Sequence, residues 1–152
     1  ALAMAISRLD PARPVVIEAE SSKVGECRLP PMLWKAMLAA PRLTIAAPCA
    51  TRASYLTRAY GDLVQDGERL AAVIDRLRPA HSADQIAEWQ AMVAQAAFQP
   101  LAEGLMQHHY DPRYAKHRTR MAPPFLQLTA DRLDPADIFA LADQVATAVR
   151  GH

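Results

Sequence analysis

Three short apolar runs, separated by stretches with helical spacing, constrain the fold of this chain more than any other feature. The runs are PVVIEAES (14–21), RLTIAAP (42–48) and PPFLQLTA (123–130). Their β-branched and other apolar residues, bounded by proline or polar residues, are typical of short buried strands. Helical spacing occupies the stretches between and after the runs, apart from a loop that contains Gly25. Ser82 with Gln85 three residues on predicts one capped helix start, and Asp134 followed by Pro135 predicts the capped start of the last helix. Short strands that alternate with helices predict a parallel sheet with right-handed crossovers.

The length of the chain limits this sheet to a small domain. The 152 residues fit one domain of the usual size, about 100–200 residues. The helical stretch between the last two runs has about sixty residues and is longer than a crossover needs. We therefore predict an α/β fold over 1–152: part of a larger α/β domain, with a parallel sheet of about three strands and a helical lid inserted between the last two at about 50–118.

Composition excludes several other classes of protein. Hydrophobic residues make up 51% and charged residues 22%, which is typical of a globular domain and not of a disordered chain or a coiled coil. No apolar run reaches the ~20 residues of a membrane span, and the start of the chain lacks the features of a signal peptide. The two cysteines, Cys27 and Cys49, form no disulfide framework. We expect buried thiols in a cytoplasmic protein.

Two acidic residues follow the first apolar run. In open α/β sheets, ligands bind beyond the carboxyl ends of the strands, where an acid can hold a magnesium ion or polarise a water. Glu18 and Glu20 are therefore candidate catalytic residues. The alternative is that they cap a loop or pair with an arginine. No GxxxxGK[ST] or GxGxxG phosphate loop is present, and Lys23 in the SSKVGE segment is a candidate phosphate contact.

A dense basic segment occupies residues 108–120 (HHYDPRYAKHRTR). Positive charge suits a phosphate backbone and tyrosine rings suit unstacked bases, so the segment is a candidate nucleic-acid contact. The alternative is a solvated loop with an Asp111–Pro112 turn, and adjacent histidines make a metal site unfavourable. Its seven basic residues, interleaved with Tyr110 and Tyr114, are His108, His109, Arg113, Lys116, His117, Arg118 and Arg120.

Two arginines, Arg52 and Arg58, open the predicted lid helix directly after the second run. They suit a charge clamp on a phosphate, or equally a solvated helix face. We expect Arg113 and Arg118 to share one anion-binding cleft with residues 18–23, because a lid must close over the strand ends. The candidate phosphate- or tRNA-binding residues are Lys23, Arg52, His109, Tyr110, Arg113, Tyr114, Lys116 and Arg118.

Two blocks of the sequence resemble one family when they are taken together. Residues 8–37 (RLDPARPVVIEAESSKVGECRLPPMLWKAM) are similar to the stretch that follows the phosphate loop of bacterial tRNA 2-selenouridine synthase. Residues 101–118 (LAEGLMQHHYDPRYAKHR) resemble the motif near the C-terminus of the same enzyme. The two blocks occur in the family's order, and neither is a general pattern of nucleotide-binding folds.

The resemblance implies a cytoplasmic tRNA-modifying enzyme. The family joins a rhodanese domain to a P-loop domain and replaces the sulfur of wobble 2-thiouridine with selenium from selenophosphate. The exchange passes through an S-geranyl intermediate made with geranyl diphosphate. The resemblance thus implies tRNA, selenophosphate and geranyl diphosphate as partners, and it makes the predicted sheet a partial P-loop NTPase-like sheet. We expect no metal site and no covalently bound cofactor. The chain lacks the rhodanese domain and the phosphate loop, so we expect a C-terminal fragment that is inactive by itself.

Two other functions stay open on the sequence alone. One is a fragment of a P-loop small-molecule kinase, with Arg52 and Arg58 as its lid arginines. The other is a non-catalytic helical interaction domain, in which the basic segment is only surface.

Overall fold

The computed structural model describes residues 2–18, 21–119 and 121–151. None of the described helices is long and apolar enough to cross a membrane. In chain order the described elements are α1 (Leu2–Ile6), β1 (Lys23–Val24), β2 (Cys27–Arg28), α2 (Pro31–Ala39), β3 (Leu43–Ala46), α3 (Cys49–Ala59), α4 (Gly61–Gln65), α5 (Gly67–Asp75), a 3-10 turn (Arg78–Ala80), α6 (Ala83–Ala94), α7 (Phe98–Leu105), a π-helical turn (Met106–Tyr110), α8 (Asp111–Arg118), β4 (Leu126–Thr129) and α9 (Pro135–Arg150).

The strands β3 and β4 form a parallel pair. Leu43 lies opposite Leu126 and Ala46 opposite Thr129, and the N–H of Ala130 extends the ladder to the Ala46 carbonyl at 2.8 Å. The second and third apolar runs therefore pair in parallel, as predicted. Helices fill the stretch between these two strands, also as predicted. The function of that stretch as a lid stays a prediction.

The described part of the first apolar run, residues 14–18, does not form a strand, so the prediction that this run opens a strand of the sheet at Pro14 is wrong. Residues 14–18 have no regular structure, and the side chains of Val15, Val16 and Ile17 are 50%, 66% and 52% exposed. β-branched residues favour a strand only where a neighbouring edge supplies hydrogen bonds and a surface to cover. Because no strand leads to it, Glu18 does not stand at the carboxyl end of the sheet.

A small hairpin follows where a loop was expected. The strands β1 and β2 are antiparallel, with Lys23 opposite Arg28 and Val24 opposite Cys27. The turn between them contains Gly25 with φ +58°, in the left-handed region that glycine enters without steric cost. Cys27 is exposed on β2 and Cys49 is half-buried at the start of α3, so the expectation of buried thiols is wrong.

The hydrophobic core lies among the helices α5, α6 and α7. Trp89, Ile74 and Ile86 are the largest fully buried side chains. A Cβ at Gly104 of α7 would lie 3.0 Å from the Trp89 indole nitrogen, so the glycine permits the close approach of α7 to α6. The helical stretch is thus a body with its own core, made of Leu70, Ile74, Ile86, Trp89, Val93 and Leu101.

The helices α6 and α9 begin where the sequence predicts, but only α6 has the expected side-chain cap. The Ser82 hydroxyl accepts a hydrogen bond from the Gln85 N–H at 3.2 Å, which confirms the predicted cap of α6. Helix α9 begins at Pro135 as predicted, but the Asp134 side chain makes no cap hydrogen bond. Its carboxylate instead accepts from the guanidinium of Arg132.

We predict that the helical core supplies much of the stability of the chain. Ile86→Ala should lower the free energy of unfolding by about 2–5 kcal/mol, because it leaves a cavity at a fully buried position. The matched control, Ile6→Ala on a side chain that is 44% exposed, should change it by less than about 0.5 kcal/mol. Urea unfolding followed by circular dichroism measures both, and equal effects would contradict the placement of the core.

Candidate functional site

A cavity of about 670 Å³ lies between α3, α5, α7 and α8. Leu56, Leu70, Ile74, Leu101 and Met106 are among the aliphatic side chains of its walls. Its volume and its apolar lining with a few polar groups are typical of a site for a small organic molecule. The charged side chains that line it are Glu18, Arg52 and Asp111.

An ion pair between Arg52 and Asp111 borders this cavity. The two terminal nitrogens of the Arg52 guanidinium donate to the two carboxylate oxygens of Asp111, at 2.7 and 2.8 Å. This two-pronged hydrogen bonding lowers the pKa of Asp111 and raises the pKa of Arg52. The pair joins α3, which follows β3, to the first residue of α8.

The chain widens into a π-helical turn immediately before α8. The N–H of Asp111 bonds to the Met106 carbonyl five residues earlier. The alternative interpretation of the basic segment placed a turn at Asp111–Pro112. The helix instead continues through Pro112, which lacks an N–H and is tolerated in a first helical turn. π-Helical turns inside helices are rare, and those that do occur often lie at functional sites.

Tyr110 and Tyr114 are four residues apart and both line the cavity. Residues at this spacing share one side of a helix, so the two rings form one aromatic wall. His109 and Arg113 belong to the same HHYDPRY motif (residues 108–114) and are also four residues apart, but they do not line the cavity. The motif therefore divides between a tyrosine side that meets the cavity and a His–Arg side.

His109 is the buried polar residue of this second side, with only 6% of its surface exposed. Its Nδ1 lies 2.7 Å from Nε2 of His81, and its Nε2 is hydrogen-bonded to Nη1 of Arg113. Burial lowers the pKa of His109, and the positive charge of Arg113 lowers that pKa further. The His81 ring in turn packs edge-on against Trp89, with the ring centroids 4.8 Å apart.

The structure brings together only some of the residues predicted from sequence. The two motif blocks meet at the cavity through Glu18 on one side and Tyr110, Asp111 and Tyr114 on the other. Glu20, Arg120 and the side chain of His117 lie outside the described residues. The candidates that line the cavity are Glu18, Arg52, Tyr110 and Tyr114; the described ones that do not are Lys23, His109, Arg113, Lys116 and Arg118.

Two other basic candidates, Lys23 and Arg58, pair with acidic or carbonyl groups near them. Lys23 lies on β1 with its ammonium 3.7 Å from the Glu26 carboxylate. The Arg58 guanidinium donates to the Leu133 carbonyl at 3.0 Å and lies 3.3 Å from the Asp134 carboxylate. Within residues 2–18, 21–119 and 121–151, no group of three or more His, Cys, Asp or Glu side chains could hold a metal ion.

Sequence reasoning missed two contributors to the site. Asp111 was noticed only as the single acid of the basic segment, yet it holds Arg52. His81 carried no signal of its own, because it stands just before the Ser82 cap and far from the HHYDPRY motif in sequence. Only the packing of α6 against the π-helical turn identifies its partner.

We predict a pH dependence from the Arg52–Asp111 pair. The pKa of Asp111 in the folded chain lies below its ordinary value of 3.8, so the pair stabilises the fold above that pH and the contribution is lost as the pH falls through the lowered pKa. Asp111→Asn should cost roughly 0.5–1 kcal/mol at pH 7, because both side chains are about a third exposed. The difference from the parent should shrink toward pH 3.

Thermal unfolding of both proteins between pH 3 and 7 measures this difference. Asp143→Asn, on the exposed side of α9, is the matched control and should show no such trend. A constant difference between the Asp111→Asn variant and the parent at all pH values would contradict the assignment.

Comparison of the sequence with known protein families gives one match, over the first part of the chain. The model of the family described as "tRNA 2-selenouridine synthase AAA domain" matches residues 1–70. No curated protein and no solved structure matches the chain significantly. The matched residues contain the 8–37 block, Glu18 and Arg52, whereas the HHYDPRY motif lies beyond them. The family match therefore supports a role related to tRNA 2-selenouridine synthase for this chain.

Proposed function

We propose that this chain is the part of a tRNA 2-selenouridine synthase that holds the geranyl group and contacts the tRNA while selenium replaces sulfur in wobble 2-thiouridine. The observation that carries the proposal is the cavity, which joins apolar walls to charged residues from both motif blocks. A ligand for such a cavity has a long apolar part and a charged end. Geranyl diphosphate has this composition.

The apolar walls suit the isoprenoid chain. Leu56, Leu63, Leu101 and Leu105 line the cavity, and its volume of about 670 Å³ exceeds what a ten-carbon chain fills. Each CH₂ group moved from water into such surroundings contributes about 0.8 kcal/mol, so a longer chain should bind more tightly. Enclosing the geranyl group away from water also protects its reacting carbon from hydrolysis.

The charged residues suit the diphosphate. Negative charge develops on the leaving diphosphate as the thiouridine sulfur attacks the first carbon of the geranyl group, and a fixed guanidinium stabilises that charge. Arg52 is the cation that lines the cavity, and its Nε has no hydrogen-bond partner among the described residues. Glu18 lines the same cavity, where a carboxylate can orient a water or a magnesium ion on a diphosphate.

Geranylation prepares the sulfur for replacement. The selenium of selenophosphate attacks C2 of the base, and the C2–S bond breaks so that geranylthiol leaves after taking up a proton. Water then cleaves the Se–P bond, which releases inorganic phosphate and leaves selenium on C2. In this proposal the cavity holds the geranyl group in both steps, first as the diphosphate ester and then on sulfur. Selenophosphate is the second phosphate-bearing co-substrate that the site must admit.

The exposed side of α8 suits the tRNA backbone. Arg113 and Lys116 are exposed and three residues apart, so they share one side of the helix. Arg118 is also exposed, at the last residue of α8. Arginine side chains bind phosphates through two parallel hydrogen bonds. The tyrosine side of the same motif faces the cavity, so one helix is proposed to connect the tRNA contact with the geranyl site.

We predict that affinity for prenyl diphosphates rises with chain length. Geranyl diphosphate should bind the 152-residue chain more tightly than dimethylallyl diphosphate or inorganic diphosphate, by isothermal titration calorimetry. Ala102→Phe fills part of the cavity and should weaken geranyl diphosphate roughly tenfold or more, since overfilling a packed site costs about 1–3 kcal/mol.

The matched control for this substitution is Ala91→Phe, on the exposed side of α6 and away from the cavity lining. It should leave the affinity for geranyl diphosphate unchanged. Equal binding of geranyl and inorganic diphosphate, or equal effects of the two substitutions, would contradict the geranyl assignment.

We predict a salt-dependent contact of α8 with tRNA. Arg113→Ala and Arg118→Ala should each weaken tRNA binding and flatten the slope of log K against log salt by roughly one unit, because each lost phosphate contact releases fewer counterions. Filter binding at several salt concentrations measures the slope. Arg76→Ala, at the end of α5, is the control and should leave it unchanged; an intact slope in the α8 variants would overturn the tRNA contact.

A further inference from the structure

We propose that His81 and His109 are positioning residues that hold the guanidinium of Arg113 in the orientation in which it binds a tRNA phosphate. The inference rests on the proposed tRNA contact of α8. It gives His109, which the sequence assigned only as a candidate phosphate or tRNA contact, a positioning role, and it adds His81, which neither the basic segment nor the family match assigns. One of them, His81, belongs to a different part of the chain.

The first step of the argument is geometric. Both ring nitrogens of His109 are engaged, Nδ1 with His81 and Nε2 with Arg113. The ring is buried, whereas Arg113 is exposed on α8. A buried ring between two partners thus connects the interior of the helical body to a surface guanidinium.

The second step is the direction of the hydrogen bonds. A guanidinium only donates, so Nε2 of His109 must be the acceptor from Arg113. His109 is then neutral and carries its proton on Nδ1, from which it donates to Nε2 of His81. Each nitrogen of the connection therefore has one assigned role: Arg113 donates to His109, and His109 donates to His81.

The third step is the anchoring of His81. Its ring packs edge-on against Trp89, which is fully buried, and it directly precedes Ser82, which caps α6. His81 is half-buried and therefore has a fixed place at the edge of the core. The π-helical turn carries His109 toward this fixed acceptor.

The consequence concerns the cost of ordering Arg113. An exposed arginine samples many rotamers, and binding a phosphate must remove that freedom. The hydrogen bond to His109 occupies one terminal nitrogen and fixes the plane of the guanidinium. The remaining N–H groups are then held ready for a phosphate.

The test uses pairs of substitutions on the 152-residue chain. An asparagine amide reaches the place of Nδ1 and a glutamine amide reaches the place of Nε2. His109→Gln keeps an acceptor for Arg113, and His109→Asn does not. Likewise His81→Gln keeps the acceptor that His109 uses, and His81→Asn removes it.

The two asparagine variants should weaken tRNA binding roughly 2- to 10-fold, the range expected for loss of one hydrogen bond. His81→Gln, which keeps the acceptor for His109, should bind within about twofold of the parent. His109→Gln keeps the acceptor for Arg113 but loses the bond to His81, so it should weaken binding less than His109→Asn does. The control is Gln95→Asn, at the exposed C-terminal end of α6 and outside the basic segment, and it should have no effect. Asparagine and glutamine variants that bind equally well would overturn the inference.

A double substitution separates positioning from general stability. If the histidines act through Arg113, His81→Asn should have no further effect on tRNA affinity in an Arg113→Ala background. A further loss there would overturn the positioning role. If Arg113→Ala weakens binding while neither asparagine variant does, the inference fails and the tRNA contact of the proposed function stands. If Arg113→Ala has no effect, both fail together.

A measurement on the unsubstituted chain keeps the inference testable even if a variant does not fold. Nitrogen-15 NMR of the histidine rings at neutral pH should find the His109 proton on Nδ1, the less common tautomer of a free imidazole. A proton on Nε2, or on both nitrogens, would overturn the inference, because His109 could then accept nothing from Arg113.

Discussion

Burial of the Trp89 indole is the constraint on which the rest of the structure depends. The ring can be covered only if α7 approaches α6 closely, and Gly104 is the residue that permits this approach. The same burial fixes the edge-on neighbour His81 and, through it, the place of the π-helical turn. The geometry of the HHYDPRY motif therefore depends on the packing of the core around Trp89.

A second coupling connects the helical body to the sheet. Arg52 stands in the first helix after β3, and Asp111 begins the helix that leads toward β4. Their two parallel hydrogen bonds tie the two exits of the helical stretch to each other at the border of the cavity. A ligand that enters the cavity meets this pair, so its binding free energy depends on how the two helices are held.

Features that arise from local physics were predictable from the sequence. The Ser82 cap, the Pro135 start of α9 and the pairing of two apolar runs in parallel all follow from neighbouring residues or from alternation of elements. The first run, Val15–Ile17, was predicted wrongly, since strand formation depends on a partner edge and not on propensity alone.

The site was less predictable than the fold. The sequence singled out Glu18, Arg52 and the two tyrosines, and these residues line one cavity. Arg113 and Arg118, which were expected to share a cleft with residues 18–23, do not line it. The widening of the helix at Met106–Tyr110 has no sequence signature, because it results from packing over several turns. For the same reason a pattern search along the chain could not pair His81 with His109.

The parallel pair of β3 and β4 has a consequence for the order in which the chain folds. The two strands are four residues each and are separated by roughly eighty residues, so pairing them early would require closing a very long loop for few hydrogen bonds. Contacts among α5, α6 and α7 are much closer in sequence and can form first. The helical body then brings the strand ends together, which makes the sheet the last part to assemble and the first to open.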